Sequence, residues 1–312
     1  VPMQNRSKLG SFWAFFPTEA RTTLSGIINA PWKLDDARRL LLEGRFNQEL
    51  LTEVLPKLVA KDFQKLAVDG EPATALDILP ARGREGRNWA DDAINEPIFD
   101  ELRKVPSLPN CTGSFTRPRN LKIHPKGLQI AWLQQWFEVA PGLDDWVHPS
   151  VEAQPERRLK ADRLMQDQRT SHLQEWIEWV CRSKTPQESA NALDLVARIV
   201  RDSPEMGREA RTCHILRLED GVMAEPKTGQ VFIRSSEEEA GFRFIDPELV
   251  GIAGVRENLE LLEIRVLDRS GELLNALSRK GPIDWRQVWE LARRLPTRQA
   301  EALWPTVRAA LE

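Results

Sequence analysis

"RKVPSLPNCTGSFTRPRNLKIHP", residues 103–125, and "RTCHILRLEDGVMAEPKTGQVFIR", residues 211–234, follow one layout. Each holds an apolar strand, a turn with Gly113 or Gly221, a polar stretch with Pro118 or Pro226, and a second apolar strand. A glycine between two β-prone runs lets the chain reverse through backbone conformations that other residues reach only at a steric cost, so both windows are predicted to be β-hairpins. His-Pro-Ser-Val at 148–151 and Asp-Pro-Glu-Leu at 246–249 then recur after unequal spacers. The pattern predicts an internal duplication.

Around the hairpins the hydrophobic period is helical. Leu128, Trp132, Leu133, Trp136 and Phe137 share one face, and Leu173, Trp176, Ile177 and Val180 share another within a helical stretch at 156–183. Thr185 is predicted to cap the next helix, with Pro186 in its first position and Glu188 closing a capping box. Residues 283–295 and 297–312 read as a terminal helical pair. Upstream, 11–15 and 22–28 read as short strands joined through "PTEAR". A helix is predicted from Asp35 or Asp36 to residue 43, ended by Gly44; a second starts at Asn47 and carries Leu50, Leu51, Val54, Leu55, Leu58, Val59, Phe63 and Leu66, kinked or divided by Pro56. "DGEPATALDILPARGREGRN", 69–88, is dense in Gly, Pro and charge and predicts a boundary. The expected class is α+β, predominantly helical: a sheet-and-helix segment over 1–70, a linker over 71–90, and hairpin-plus-helices modules over 91–202 and 203–312.

Composition narrows the function. With 44 basic and 47 acidic residues the 312-residue chain has a formal charge of −3, which provides no global field for nucleic acid or an anionic membrane. Apolar runs such as 130–133 fall far short of a membrane span, and the first 30 residues lack a signal-peptide layout, so the expected location is cytoplasmic. Three distant cysteines, Cys111, Cys181 and Cys213, fit buried thiols better than a disulfide framework. There is no Tyr among the 312 residues, which excludes tyrosine acid, base or radical chemistry. P-loop, dinucleotide-binding, zinc-protease and C-x-x-C motifs are absent. Cys213 and His214 are expected to face opposite ways, the acidic groups Asp91-Asp92, Asp144-Asp145 and Glu237 to Glu239 to serve at helix starts or in solvated loops, and the Trp pairs 132/136, 176/179 and 285/289 to pack in cores. Arg82, Arg84 and Arg87 read as a solvated linker.

"FPTEARTTLSGIINAPWKLDDARRLLLEGRFN", 16–47, is the stretch with arguable chemistry. It places Lys33, Arg38 and Arg39 around a strand-to-helix loop, where helix N-terminal amides and a fixed cation would both favour a phosphoryl group. The stretch resembles the segment that follows the ATP-binding domain in sacsin-type proteins, relatives of the ninety-kilodalton heat-shock chaperone within the GHKL ATPase group. The resemblance rests on Phe16-Pro17, Thr23-Leu24-Ser25-Gly26, Asn29-Ala30-Pro31-Trp32-Lys33, Arg38 and Gly44-Arg45-Phe46-Asn47, and covers about 60 residues. The units with Asn110-Cys111-Thr112-Gly113 and Glu219-Asp220-Gly221 resemble later strand-turn-strand units of such proteins more loosely. The resemblance implies a transducer-like middle region of a bacterial chaperone-type ATPase, coupling nucleotide state to a protein client or partner. It implies that Arg38 first, and Lys33 second, contact the γ-phosphate held by an ATP-binding domain outside this chain. It further implies ATP and Mg for the longer protein, no cofactor for this chain, and no activity for this chain alone. The competing expectation is a stand-alone scaffold that binds another protein or nucleic acid without an ATPase role; in the favoured reading neither nucleic acid nor membrane is an expected partner.

Overall fold

The computed structural model describes residues 9–80, 88–166, 171–226, 231–234, 243–267, 273, 276–277, 283–295 and 297–310. The protein is α+β and predominantly helical, with small sheets. It divides into two compact units, 1–137 with 142–172, and 138–141 with 173–312.

The first unit opens on a three-stranded sheet of order β2-β1-β3, with β1 Gly10–Trp13, β2 Pro17–Thr22 and β3 Ile27–Asn29. The expected connector "PTEAR" is itself most of a strand. Its inward residues are Thr18, Ala20 and Thr22, small or polar side chains that a search for apolar alternation passes over. Gly10 begins the sheet where the backbone doubles back most closely: a Cβ there would lie 2.3 Å from the carbonyl oxygens of both Leu24 and Gly26. Gly10→Ala is therefore expected to cost about 1–3 kcal/mol by forcing these backbones apart, measured by urea denaturation.

Residues 45–62 form a continuous helical run, α1 Arg45–Glu49, a π-helical segment Leu50–Val54 and α2 Leu55–Asp62. Gly44 precedes this run instead of ending a helix. Pro56 lies two residues past the π segment, and the winding loosens where the proline ring would otherwise crowd a carbonyl one turn back. The described start of the expected linker 71–90, residues 72–80, is largely core. The 3-10 helix Pro72–Ile78 buries Ala73, Ala75, Leu76 and Ile78, and α3 Trp89–Lys104 comes next with Asn88 as its N-cap. Residues 1–70 and α3 fall in the same compact unit rather than in separate domains. Arg82, Arg84 and Arg87, and Glu237 to Glu239, lie outside the described residues.

The first hairpin pairs β4 Leu108–Pro109 with β5 Phe115–Thr116. After it come α4 Ile130–Val139 and α5 Pro155–Met165. In the second unit, α6 Leu173–Glu178, α7 Pro186–Asp202 and α8 Pro204–Ala210 precede the second hairpin, β6 Leu216–Arg217 with β7 Met223–Ala224. Then come β8 Val231–Arg234, β9 Arg243–Phe244, α9 Pro247–Val250, α10 Val255–Leu261 and β10 Val266–Leu267. The expected modules 91–202 and 203–312 thus miss the division: residues 173–202 group with the second hairpin, and the first hairpin groups with the N-terminal sheet. Thr185 caps α7 as expected, its Oγ accepting the Glu188 N–H at 3.1 Å, but the Glu188 carboxylate reaches back to the N–H of Ser183 rather than that of Thr185.

The two hairpins match bond for bond. Gly113 and Gly221 both have positive φ, +84° and +77°, and donate to the carbonyls of Asn110 and Leu218 at 2.9 and 2.8 Å. Asn110 N–H bonds Ser114 O at 2.8 Å, and Leu218 N–H bonds Val222 O at 2.9 Å. A returning segment then crosses each turn. Cys111 N–H reaches Trp146 O and His148 N–H reaches Pro109 O, both at 2.9 Å; in the second unit Glu219 N–H reaches Phe244 O at 3.1 Å and Asp246 N–H reaches Arg217 O at 3.0 Å. His148 and Asp246, which begin the two Pro-containing tetrapeptides, each accept the N–H two residues on and start a short helix. The duplication is thus present in the hydrogen-bond register.

One part of the expected pattern changes. The second apolar stretch of each window does not close the hairpin; it lies parallel to the returning segment, with Val147 N–H bonding Lys122 O and Ile245 N–H bonding Phe232 O, both at 2.9 Å. Along the chain, α4 lies between the first pair of parallel partners.

Candidate functional site

The chain leaves β3 at Asn29, whose side-chain oxygen accepts the Phe15 N–H at 2.9 Å, and buries Trp32 edge-on against Phe12 with ring centroids 5.4 Å apart. From Asp35 or Asp36 it is expected to enter a helix. Instead residues 33–42 form a tight two-armed loop: Leu34 and Leu41 pair antiparallel, Leu42 N–H bonds Lys33 O at 2.9 Å, and Asp35 N–H bonds Leu40 O at 3.0 Å. The Asp35 carboxylate, expected to cap a helix, accepts the N–H groups of Arg39 and Leu40 at 2.7 and 3.1 Å across the loop. Those two backbone bonds hold its carboxyl below the usual range. Arg38, at the tip, reverses the chain in the left-handed region with φ 57°.

The run Leu40-Leu41-Leu42 explains the discrepancy. Its apolar character suits a helix, but the residues alternate as in a strand, with Leu41 buried and Leu40 and Leu42 exposed. Trp89 Nε1–H bonds Leu41 O at 3.2 Å, and Glu19 N–H bonds Arg39 O at 2.8 Å, so tertiary partners satisfy the arm.

Asn47 clamps the loop's base. Its Oδ1 accepts the Lys33 N–H at 3.0 Å, and its Nδ2 donates to Lys33 O and Leu42 O at 2.7 and 2.8 Å. Sequence reasoning took Asn47 for a helix start; the buried side chain lies inside α1 and organises the loop. Lys33 Nζ stands 5.0 Å above the Phe46 ring. Lys33 and Arg38 therefore share one loop, at base and tip, and both are exposed. Neither stands at a helix N-terminus, so the expected assistance from helix amides does not apply. Arg39, the third cation of the stretch, faces Glu19 at 3.5 Å.

Several apolar side chains in the same part of the chain are exposed. Phe15 is 79% exposed, and Phe16, Leu40, Leu42 and Phe46 are exposed as well. The hydrogen bonds above bring Leu42, Lys33 and Phe46 together at Asn47 and place the 39–41 arm along β2, whose first residue comes directly after the Phe15-Phe16 turn.

Elsewhere the polar candidates are structural. Burial pushes the Cys111 and Cys181 thiols up to about 12 and raises Cys213 further, so all three stay protonated and poorly nucleophilic. Cys213 is buried while His214 faces Glu178 and Glu225, in keeping with their expected divergence. No group of three or more His, Cys, Asp or Glu suited to a metal occurs among the described residues. Asp144 fixes the first hairpin turn by accepting from Asn110 Nδ2 and Thr112 Oγ at 3.2 and 3.1 Å. Trp132, Trp136 and Trp176 are core residues, whereas Trp289 is partly exposed and packs on Trp304 rather than Trp285.

No helix of the described residues is long and apolar enough to cross a membrane. Comparison of the chain with protein-family models, with curated proteins and with solved structures gives no match.

Proposed function

We propose that the 33–42 loop and the apolar side chains around it form the docking surface for an ATP-binding domain outside this chain. In this reading the chain is the middle region of a bacterial sacsin-like, chaperone-type ATPase of the cytoplasm, transmitting nucleotide state to a protein client or partner. The observation that carries the reading is the occurrence of two exposed cations, Lys33 and Arg38, with exposed Phe15, Phe16, Leu40, Leu42 and Phe46 within residues 15–46. Exposed apolar side chains gathered in this way are a common mark of a protein interface. An exposed cation on such a surface, as Lys33 is beside Phe46, is placed to meet an anion presented by the partner. ATP and Mg would be held by the absent domain, with Arg38 stabilising charge on the γ-phosphoryl group and Lys33 in a supporting place.

In the longer protein, Arg38→Ala is expected to slow ATP turnover about 10²-fold or more, the size of losing one preorganised donor. Lys33→Ala should slow it less, because an ammonium lacks the bidentate fork of a guanidinium. Thermal unfolding of the Arg38 variant should shift by under ~0.5 kcal/mol, since the side chain is exposed and alanine shares the same left-handed backbone cost. An unchanged turnover removes the catalytic role. The isolated chain is expected to bind ATP negligibly, and micromolar affinity by calorimetry would refute dependence on an outside domain.

The duplication favours a second reading, a protein-interaction scaffold without ATPase coupling. Two modules of one hydrogen-bond plan are the kind of repeated unit that presents recurring surfaces. Client or partner capture that is unaffected by ATP and by the loop substitutions would favour it.

A further inference from the structure

The terminal helical pair, Trp285–Arg294 and Thr297–Ala309, encloses a small core of Leu273, Ala276, Val288, Leu295 and Val307. Among the described residues this packing leaves a gap. A cavity of about 350 Å3 opens beside it, floored by Leu273, Leu295 and Val307 and flanked by Trp289, Trp304 and Arg293. Its size falls within the range of small-ligand sites. The indoles of Trp289 and Trp304 meet at 5.6 Å between centroids and 48° between planes, yet remain 39% and 47% exposed. Two of the largest apolar side chains thus stand half in water at the mouth of a largely apolar cleft.

Arg293 gives the cleft its chemical direction. Its neighbour Arg286 faces Glu290 at 3.7 Å, while Arg293 makes no ion pair among the described residues. A guanidinium beside an apolar cleft recognises a carboxylate, and the indoles and aliphatic floor recognise the apolar body attached to it. We infer that this cleft binds a small apolar monocarboxylate, the carboxylate meeting Arg293 and the hydrocarbon part lying against Trp289 and Trp304. The site belongs to the second unit and is independent of the loop that carries Lys33 and Arg38.

The test is calorimetric titration of the chain with octanoate below its micelle concentration, beside octan-1-ol and octylammonium of equal length. Octanoate should bind saturably with a Kd on the order of 100 µM, as expected for about ten non-hydrogen atoms at modest efficiency. Arg293→Gln should weaken octanoate about 10-fold and leave octan-1-ol unchanged, and octylammonium should bind weakest. Trp304→Ala, at an exposed position, should reduce both octanoate and octan-1-ol while the far-ultraviolet circular dichroism stays unchanged. Equal affinity for octanoate and octylammonium, insensitivity to Arg293→Gln, or no saturable heat would overturn the assignment. So would a concentration-dependent dimer lost in Trp304→Ala without any octanoate response, since a second copy would then cover the cleft.

Discussion

Asp91→Ala is expected to remove about 3–5 kcal/mol of stability, a large share of what holds a domain of this size together. Asp91 is fully buried in the first turn of α3, and its carboxylate joins the helix to the N-terminal sheet. Oδ1 accepts the Thr22 hydroxyl and the Thr23 N–H, both at 2.8 Å, and the Thr23 hydroxyl reaches Oδ1 and Oδ2 at 3.0 and 2.9 Å. Asn95 Nδ2 adds a bond to the Thr23 oxygen at 3.1 Å. Alanine would strand a buried backbone donor and two hydroxyls together, each carrying its own desolvation penalty. The position near the helix N-terminus also favours a negative group. Asp91→Asn keeps an acceptor and should cost clearly less. Urea denaturation of both variants provides the check, and an Asp91→Ala loss below ~1 kcal/mol would mean that the cluster does not join sheet to helix as described.

The second large effect concerns acid. His124 is fully buried, stacked on Trp146 at 5.3 Å and edge-on to Trp136 at 5.2 Å, and donates from Nε2 to Val147 O at 2.8 Å. Burial drives its pKa from 6.5 to about 3, with the nearby charge of Arg158 acting in the same direction. The folded protein therefore holds the neutral ring, while the unfolded chain takes up a proton below 6.5. Stability from this group is complete above pH 6.5 and falls as pH drops through the interval to about 3, at roughly 1.4 kcal/mol per pH unit and about 4–5 kcal/mol in all. His148, also lowered by burial, acts in the same direction. Chemical denaturation between pH 7 and 4, compared with His124→Gln, isolates the contribution: the variant should be weaker at pH 7 yet lose much less stability on acidification. Parallel pH profiles would show that the ring is protonated in the folded state.

Several elements were legible because their causes are local. The glycines of the two hairpin turns, the cap at Thr185, and the 3.6-residue spacing of Trp132, Leu133 and Trp136 each express a short-range backbone or packing rule, and the structure agrees with them. The internal repeat was legible because two copies of one local plan reinforce each other. The Pro-containing tetrapeptides at 148–151 and 246–249 turned out to occupy matching places in the hydrogen-bond register.

The candidate loop was legible only in composition. Its cations and their order along the chain are sequence facts, but the run from Asp35 to Glu43 has helical composition and no helix. Nothing local announces that Asn47 will take both Lys33 and Leu42, that Trp89 will reach Leu41, or that Glu19 will pair with Arg39, since those partners lie 5 to 48 residues away. Similarly, Asp91 and Asp92 look alike in sequence, and only burial against Thr22 and Thr23 makes the first a keystone and the second a surface acid. The sequence by itself determined the hairpin turns, the cap at Thr185, the repeat and the amphipathic faces, because these depend on residues within a few positions of each other. Tertiary structure decided the fate of the 33–42 loop, the burial of the 72–78 segment and the grouping into units, because each depends on which distant donors and apolar faces become available once the chain is folded.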